Sequence, residues 1–179
     1  MQVIGGSIKG LKLDSIKTED IRPSKDRIKK SIFDILRFQI KDTVFLDLFG
    51  GTGQIGIEAF SQGAKEVLIV EPNKYNASII KKNIQKIKIP HNIKLFVQSA
   101  SDFLTQNNPK FDIAFLDPPY KDIPLLNDSI EKISNLSNLP NFVIVETLSS
   151  TDNLIKIQKF YLRKKYHYGK ISLILYEKI

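Results

Sequence analysis

The tetrapeptide Asp117-Pro118-Pro119-Tyr120 combines a carboxylate, a carbonyl held by two proline rings, and an aromatic face. That set suits an exocyclic amino group of a nucleic-acid base. Such an amine is a poor nucleophile because its lone pair is delocalised into the ring. If the Asp117 carboxylate and the Pro118 carbonyl each accept a hydrogen bond from it, the nitrogen can pyramidalise and aim its lone pair at an electrophilic methyl. Each proline ring fixes its own φ, so the acceptors through Pro119 are preorganised rather than recruited. Tyr120 would stack on the base, a contact worth about 1–3 kcal/mol in nucleic-acid systems. Asp117 need not be a strong base, because the amine turns acidic only as the N-methyl bond forms. A strand-terminating turn also accommodates Asp, Pro and an aromatic, so the tetrapeptide takes its meaning from its neighbours.

The first neighbour is Asp47-Leu48-Phe49-Gly50-Gly51-Thr52-Gly53-Gln54-Ile55-Gly56, which reads as a strand running through a glycine turn into a helix. Gly50, Gly51 and Gly53 let a ligand approach the backbone, and the helix start offers unpaired N–H groups. Residues 51–56 fit Gly-x-Gly-x-x-Gly, and Glu71 follows Gly51 by 20 positions, where its carboxylate would accept hydrogen bonds from ribose hydroxyls. Nicotinamide dinucleotides and S-adenosylmethionine both remain open on these residues. Asp47 shifts the balance: a strand-end carboxylate sits awkwardly beside a pyrophosphate but well beside the ammonium and sulfonium of S-adenosylmethionine. Its plainer role is a turn Asp that bonds local backbone N–H groups. Phe49 and Pro72, flanking these acids, are grouped with the cofactor contacts. The adenine is expected near Gln98-Ser99-Ala100-Ser101-Asp102, where the Ser99 hydroxyl and the Ala100 N–H could meet polar ring atoms; Asp102 suits an early helical turn equally well.

These residues need a scaffold, and the chain supplies a regular one. From Thr43 onward β-rich runs (Val44 to Leu48, Glu66 to Val70, Ile93 to Val97, Phe111 to Leu116, Phe142 to Glu146) alternate with amphipathic helical segments. That is the pattern of an α/β, doubly wound, Rossmann-like domain with a mostly parallel sheet. Ligands bind beyond the carboxyl ends of such strands, so the tetrapeptide and the glycine loop should face one crevice. Ile157 to Tyr166 and Ile171 to Glu177, separated by a turn near Gly169, read as a closing antiparallel hairpin, giving seven strands. Ahead of this core of residues 43–179, residues 1–41 differ. Val3 to Gly6 and Ile8 to Leu13 could pair as a small basic hairpin. A helix then follows, with Ser24 as its N-cap and an apolar stripe of Ile28, Ile32, Ile35 and Leu36. Lys25, Arg27, Lys29, Lys30 and Arg37 fall on its other faces.

At 179 residues one domain, 1–179, is the default. No apolar run approaches the roughly 18 residues of a spanning helix, and no secretory signal is visible at the start, so a soluble cytoplasmic protein without a membrane partner is expected. With no cysteine and two histidines there is no disulfide framework, no thiolate nucleophile and little with which to build a metal site. The net charge of +8 favours a polyanionic partner. Residues 1–41 hold ten Lys or Arg against five Asp or Glu, which makes them a candidate RNA-docking extension.

Taken together, the chain resembles the bacterial RsmD-like family over nearly its full length. The resemblance is carried by Val3-Ile4-Gly5-Gly6, Lys9-Gly10-Leu11-Lys12-Leu13, Ile21-Arg22-Pro23-Ser24-Lys25-Asp26-Arg27, the glycine loop through Ala59, and Asp117 to Tyr120. It implies a seven-strand methyltransferase fold, S-adenosylmethionine as donor, and methylation of a guanine N2 amine in 16S ribosomal RNA, guanine-966 by family, presented in an assembling small subunit to a monomeric enzyme. Lys9, Lys12, Arg22, Lys25 and Arg27 would be the RNA contacts. In one departure, the family usually places Asp where this chain has Ser99. A DNA adenine or cytosine amino-methyltransferase is the nearest rival, but the chain leaves little room for a target-recognition domain. A nicotinamide-dependent oxidoreductase would leave Asp117 to Tyr120 unexplained, and a noncatalytic RNA-binding protein would leave the crevice unexplained.

Overall fold

Strands buried on both faces of a parallel sheet should read as continuous apolar runs, and the central strands here do: all four residues of β4 (Ile113–Leu116) are buried, as are three of the four in β1 (Val44–Asp47). The computed structural model describes residues 1–15, 23–88, 90–106, 109–119 and 122–179. Its seven strands form one sheet in the order β3-β2-β1-β4-β5-β7-β6, with β2 at Glu66–Val70, β3 at Ile93–Phe96, β5 at Phe142–Leu148, β6 at Phe160–Tyr168 and β7 at Ile171–Lys178. The pairings among β1 to β5 are all parallel; β7 is antiparallel to both β5 and β6. The closing hairpin therefore inserts its second strand beside β5 and leaves β6 at the edge. β6 starts at Phe160 rather than Ile157, because Lys159 takes a left-handed φ of 65° and the Phe160 N–H turns back to the Ile157 carbonyl. No helix among the described residues is long and apolar enough to cross a membrane.

Helices cover both faces. α1 (Pro23–Ile35), α2 (Gln54–Ser61) and α3 (Lys74–Gln85) pack Ile28, Ile32, Ile57 and Ile80 on one side with Phe45, Ile69, Phe115 and Ile144 of the sheet. α4 (Ala100–Gln106) and α5 (Ile123–Ser134) pack Phe103, Leu126, Ile130 and Ile133 on the other with Leu46, Val70, Leu116 and Val145. Successive strand residues thus alternate between two separate apolar layers, as the pleat requires.

Two expectations for the first 41 residues need correction. The N-terminal hairpin is reduced to one antiparallel bridge, Gln2 to Lys12, with Val3 and Leu13 donating backbone bonds to the Leu11 and Met1 carbonyls. Its loop is bound to α2 instead of extending as a ribbon. The Glu58 carboxylate, fully buried, accepts the N–H groups of Ile4 and Gly5 at 2.9 Å each. Ser61 Oγ accepts from Ile8, and a Cβ on Gly6 would lie 1.7 Å from the Ser61 carbonyl oxygen. α1, in turn, begins at Pro23, which suits a first helical position because the missing N–H has no intrahelical role there; the side chain of Ser24, expected as its N-cap, lies outside the described residues. Lys29 is not a solvated cation. It is 1% exposed, lies 3.3 Å from Glu58 Oε2 and donates to the Gln2 carbonyl at 2.7 Å. A buried carboxylate needs a counter-charge, and Lys29 supplies it.

Candidate active site

The strand order reverses between β1 and β4, which are neighbours in the sheet although far apart in sequence. A doubly wound sheet opens a crevice at such a switch point, beyond the carboxyl ends of the strands. The two loops leaving those ends are the glycine loop and Asp117-Pro118-Pro119. Asp47 is level with Phe115 in the register, and the Leu48 N–H bonds to the Phe115 carbonyl at 3.1 Å. The sheet thus brings together segments 70 positions apart.

Strand alternation, continued one residue past the ends of β2 and β4, assigns four carboxylates to the α1–α3 side of this rim. Glu71, Asp47, Asp117 and Glu146 each follow by two positions a residue of that apolar layer: Ile69, Phe45, Phe115 and Ile144. In space they come in that order across β2, β1, β4 and β5. Glu146 had no role in the sequence reading; the register, with Leu116 opposite Val145, brings it level with Asp117. An acid closing an apolar strand run was the available signal, but adjacency to Asp117 depends on the strand order.

Glu71 is buried with both oxygens held by backbone: Oε2 accepts the Gly51 N–H at 2.7 Å and Oε1 the Asn73 N–H at 2.8 Å. It therefore ties the glycine loop to the end of β2. Each oxygen retains a further lone pair for a hydroxyl donor. Gly51 has φ 56°, and a Cβ there would meet nothing closer than 4.0 Å, so among Gly50, Gly51 and Gly53 it is the one whose bare side faces open space. Gly50 serves differently, since a Cβ would lie 2.4 Å from Ile69 Cγ2; it lets the loop sit on β2. Gly53 (φ 76°) packs against Ile80, Phe49 is half-buried against the apolar layer of α4 and α5, and Pro72 is exposed beyond Glu71.

Asp47 is 1% exposed, and its Oδ2 accepts the Gly56 N–H at 3.0 Å at the start of α2. The local backbone role foreseen for it is thus present. Burial pushes its carboxyl up to about 7; the Gly56 N–H opposes the rise and the nearby Glu71 charge adds to it. A buried acid that ionises so reluctantly is one whose charge a bound cation would favour.

Beyond the end of β3, where the adenine contact is expected, Ser99 and Asp102 are bound to each other. Ser99 caps α4: its Oγ accepts the Asp102 N–H at 3.1 Å and gives its hydrogen to the Asp102 carboxylate at 2.6 Å. Asp102 thus has the early-turn role, and the Ser99 hydrogen is committed within the protein. Ala100 is the first residue of α4, where the backbone N–H has no intrahelical partner. Just before it, Gln98 carries a buried side-chain Nε2 with no hydrogen-bond partner among the described residues, a donor that the sequence reading passed over.

In the tetrapeptide Asp117 is half-buried, Pro118 buried and Pro119 exposed, with the Pro119 carbonyl accepting the Asp122 N–H at 2.8 Å. Asp122 caps α5 by accepting from Leu125, so the loop is clamped at its far end. Tyr120 and Arg22, and the side chain of Lys25, lie outside the described residues. Lys9, Lys12 and Arg27 are exposed.

Comparison with known proteins finds relatives of nearly the whole chain. The model of the family described as conserved hypothetical protein 95 matches residues 1–177. A protein named ribosomal RNA small subunit methyltransferase D, from Haemophilus influenzae, is 35% identical over 99% of this chain and 93% of its own length. A putative methyltransferase, yhhF, from Escherichia coli superposes with a TM-score of 0.87 at 26% identity, covering 99% of this chain and 97% of that one. A putative methylase structure from Haemophilus influenzae gives 0.82 at 34% identity, with 99% and 98% covered. With a family model spanning nearly every residue and a relative matched almost end to end, the chain belongs to the conserved hypothetical protein 95, or RsmD, family.

Proposed function

We propose that this protein transfers the methyl group of S-adenosylmethionine to the exocyclic N2 amine of a guanine in 16S ribosomal RNA, guanine-966 by family. The observation that carries the reading is the meeting of Asp117-Pro118-Pro119 with the glycine loop at the switch point between β1 and β4, with Asp47 and Glu71 on the same rim. S-adenosylmethionine supplies, when bound, an electrophilic methyl on a sulfonium. Asp47 would balance its positive charge, and Glu71 would hold the ribose hydroxyls. The Ala100 N–H and the Gln98 amide would meet the adenine. Asp117 and the Pro118 carbonyl would take the two amine hydrogens, leaving the nitrogen lone pair free for attack, and Asp117 would accept the proton once the N-methyl bond forms. Tyr120 would stack on the base.

The chain would act as one methyltransferase domain, 1–179, with residues 1–41 as its RNA-docking part through Lys9, Lys12, Arg22, Lys25 and Arg27. It would work as a monomer in the cytoplasm on an assembling small subunit. Labelled-methyl transfer to undermodified 16S RNA, naked and in 30S particles, with mapping of the product nucleotide, tests this directly. Label on a guanine N2 is the expected result. Label confined to an adenine or cytosine of DNA would move the protein to the rival acceptor, and saturable binding of NADH without S-adenosylmethionine binding would remove the methyltransferase reading.

A further inference from the structure

β6 is one edge of the sheet, and most of its length is basic or aromatic, including Tyr161, Arg163, Lys164, Lys165, Tyr166 and Tyr168. The register sorts these side chains by face. Lys164 stands opposite Leu175, Tyr166 opposite Leu173 and Tyr168 opposite Ile171. Leu173, Leu175 and Ile171 belong to the apolar layer under α1, and cross-strand partners share a face. Lys164, Tyr166 and Tyr168 therefore point to the α1 side. Lys165 points to the other side, where it is bound to Asp152 at 3.0 Å, and Arg163 is paired with Glu177 at 2.8 Å. Those two charges are already balanced within the protein.

On the α1 side each tyrosine carries a cation. The Arg27 guanidinium of α1 lies 5.9 Å from the Tyr168 ring centroid, and Lys164 Nζ lies 5.1 Å from that of Tyr166. Both cations are exposed, and both rings are half-buried against the core. A ring fixed by packing restrains the cation above it, so less ordering remains to be done when an anion arrives. The stripe also has a direction. Leu148, at the carboxyl end of β5, pairs with Ile171, which pairs with Tyr168; the Tyr168 end of β6 is therefore at the same end of the sheet as Asp117. Lys170, exposed in the connecting turn, is held there by the Ser149 N–H bonding its carbonyl at 2.9 Å.

We propose that Lys170, Arg27 with Tyr168, and Lys164 with Tyr166 form a track for the RNA strand flanking the target nucleotide. The cations take successive phosphates and the rings hold the cations in place. This rests on RNA being the acceptor. Residues two apart on one strand face are separated by about 6.8 Å, which suits an extended sugar-phosphate chain running along β6 away from the crevice. Release of counterions from those phosphates would supply the affinity.

The experiment compares two charge-reversed double variants in the full chain: Lys164→Glu with Lys170→Glu on the track, and Lys110→Glu with Lys156→Glu, exposed positions beside Phe111 and Ile155 of the opposite apolar layer. The net charge changes equally in both. Affinity for a 16S RNA fragment is measured against salt concentration, and methyl transfer is measured separately. The track pair is expected to bind at least about 10-fold more weakly, with the log–log salt slope shallower by about 1.4 for two lost single-strand phosphate contacts; the control pair should stay within about threefold. Tyr166→Leu, which keeps an apolar contact and loses the ring, should weaken binding several-fold without changing S-adenosylmethionine affinity. Equal losses in both pairs, or none in the track pair, would overturn the track. Track-dependent binding by a protein that transfers no methyl to 16S RNA would instead overturn the proposed reaction and leave the track standing.

Discussion

The raised Asp47 carboxyl makes cofactor binding a titration. At about 7, the group is roughly 3% ionised at pH 5.5 and half ionised at pH 7.0. If the cationic end of S-adenosylmethionine is held by the ionised form, the observed dissociation constant is the intrinsic one divided by the ionised fraction. Affinity should then rise about 15-fold between pH 5.5 and 7.0, approaching one decade per pH unit at the acid end. Over that range the cofactor's own amine, with an α-amino value of about 7.7–8.0, stays largely protonated and contributes little slope. Isothermal titration calorimetry gives the affinity. Repeating it at pH 7.0 in buffers of different ionisation enthalpy gives the proton count, expected near half a proton released per cofactor bound. Asp47→Asn should bind weakly at every pH and release none. A flat wild-type profile from pH 5.5 to 7.0, or a slope that survives in Asp47→Asn, would refute the placement of the cofactor's positive charge at Asp47. The same shift acts on the free protein. The native state keeps the Asp47 proton that the unfolded chain loses near 3.8, so this contribution to stability is whole below that value and is lost as pH rises through about 7. Without cofactor, Asp47→Asn should accordingly melt higher than wild type at pH 8.

Three further outcomes follow from the same structure. Asp117→Ala should abolish methyl transfer while leaving S-adenosylmethionine affinity within a few-fold by calorimetry; substantial residual turnover would take Asp117 out of the mechanism. Lys29→Ala leaves Glu58 buried without its cation, and should cost about 3–5 kcal/mol in urea unfolding; a loss below about 1 kcal/mol would show that the Ile4 and Gly5 N–H groups suffice. Ser99→Ala should cost about 1 kcal/mol as a lost cap with little change in cofactor affinity, whereas Gln98→Leu should weaken cofactor binding several-fold; the reverse pattern would return the adenine contact to the Ser99 hydroxyl.

Period and punctuation sufficed for the local elements. The apolar runs of β1 to β5, the turn glycines after Asp47 and the alternation with helical segments are short-range signals, and the strands appear where they place them to within about two residues. Asp117-Pro118-Pro119 and Gly51 with Glu71 stand out by residue type and spacing, and the structure brings them to one end of the sheet. The Lys29 assignment failed for a physical reason. A helical lysine near an apolar stripe is ordinarily solvated, and only a buried carboxylate from a distant helix, Glu58, makes its burial favourable. At Ser99 residue type alone leaves two uses open, because a hydroxyl can serve a ligand or a helix end; in the structure Asp102, in the early helical turn that also suits it, takes the hydrogen.

The sequence by itself determined the two motifs, Asp117-Pro118-Pro119-Tyr120 and the glycine loop after Asp47, since each is a contiguous stretch whose residue types and spacing are local. The tertiary structure decided which acids share the rim, which lysines stay exposed and which edge of the sheet carries them. Those properties belong to strand order and register. Asp117 lies level with Glu146 because β5 pairs with β4, and Tyr168 faces the crevice end because β7 inserts between β5 and β6. No spacing along the chain encodes those pairings; they are chosen by which apolar faces can be buried together.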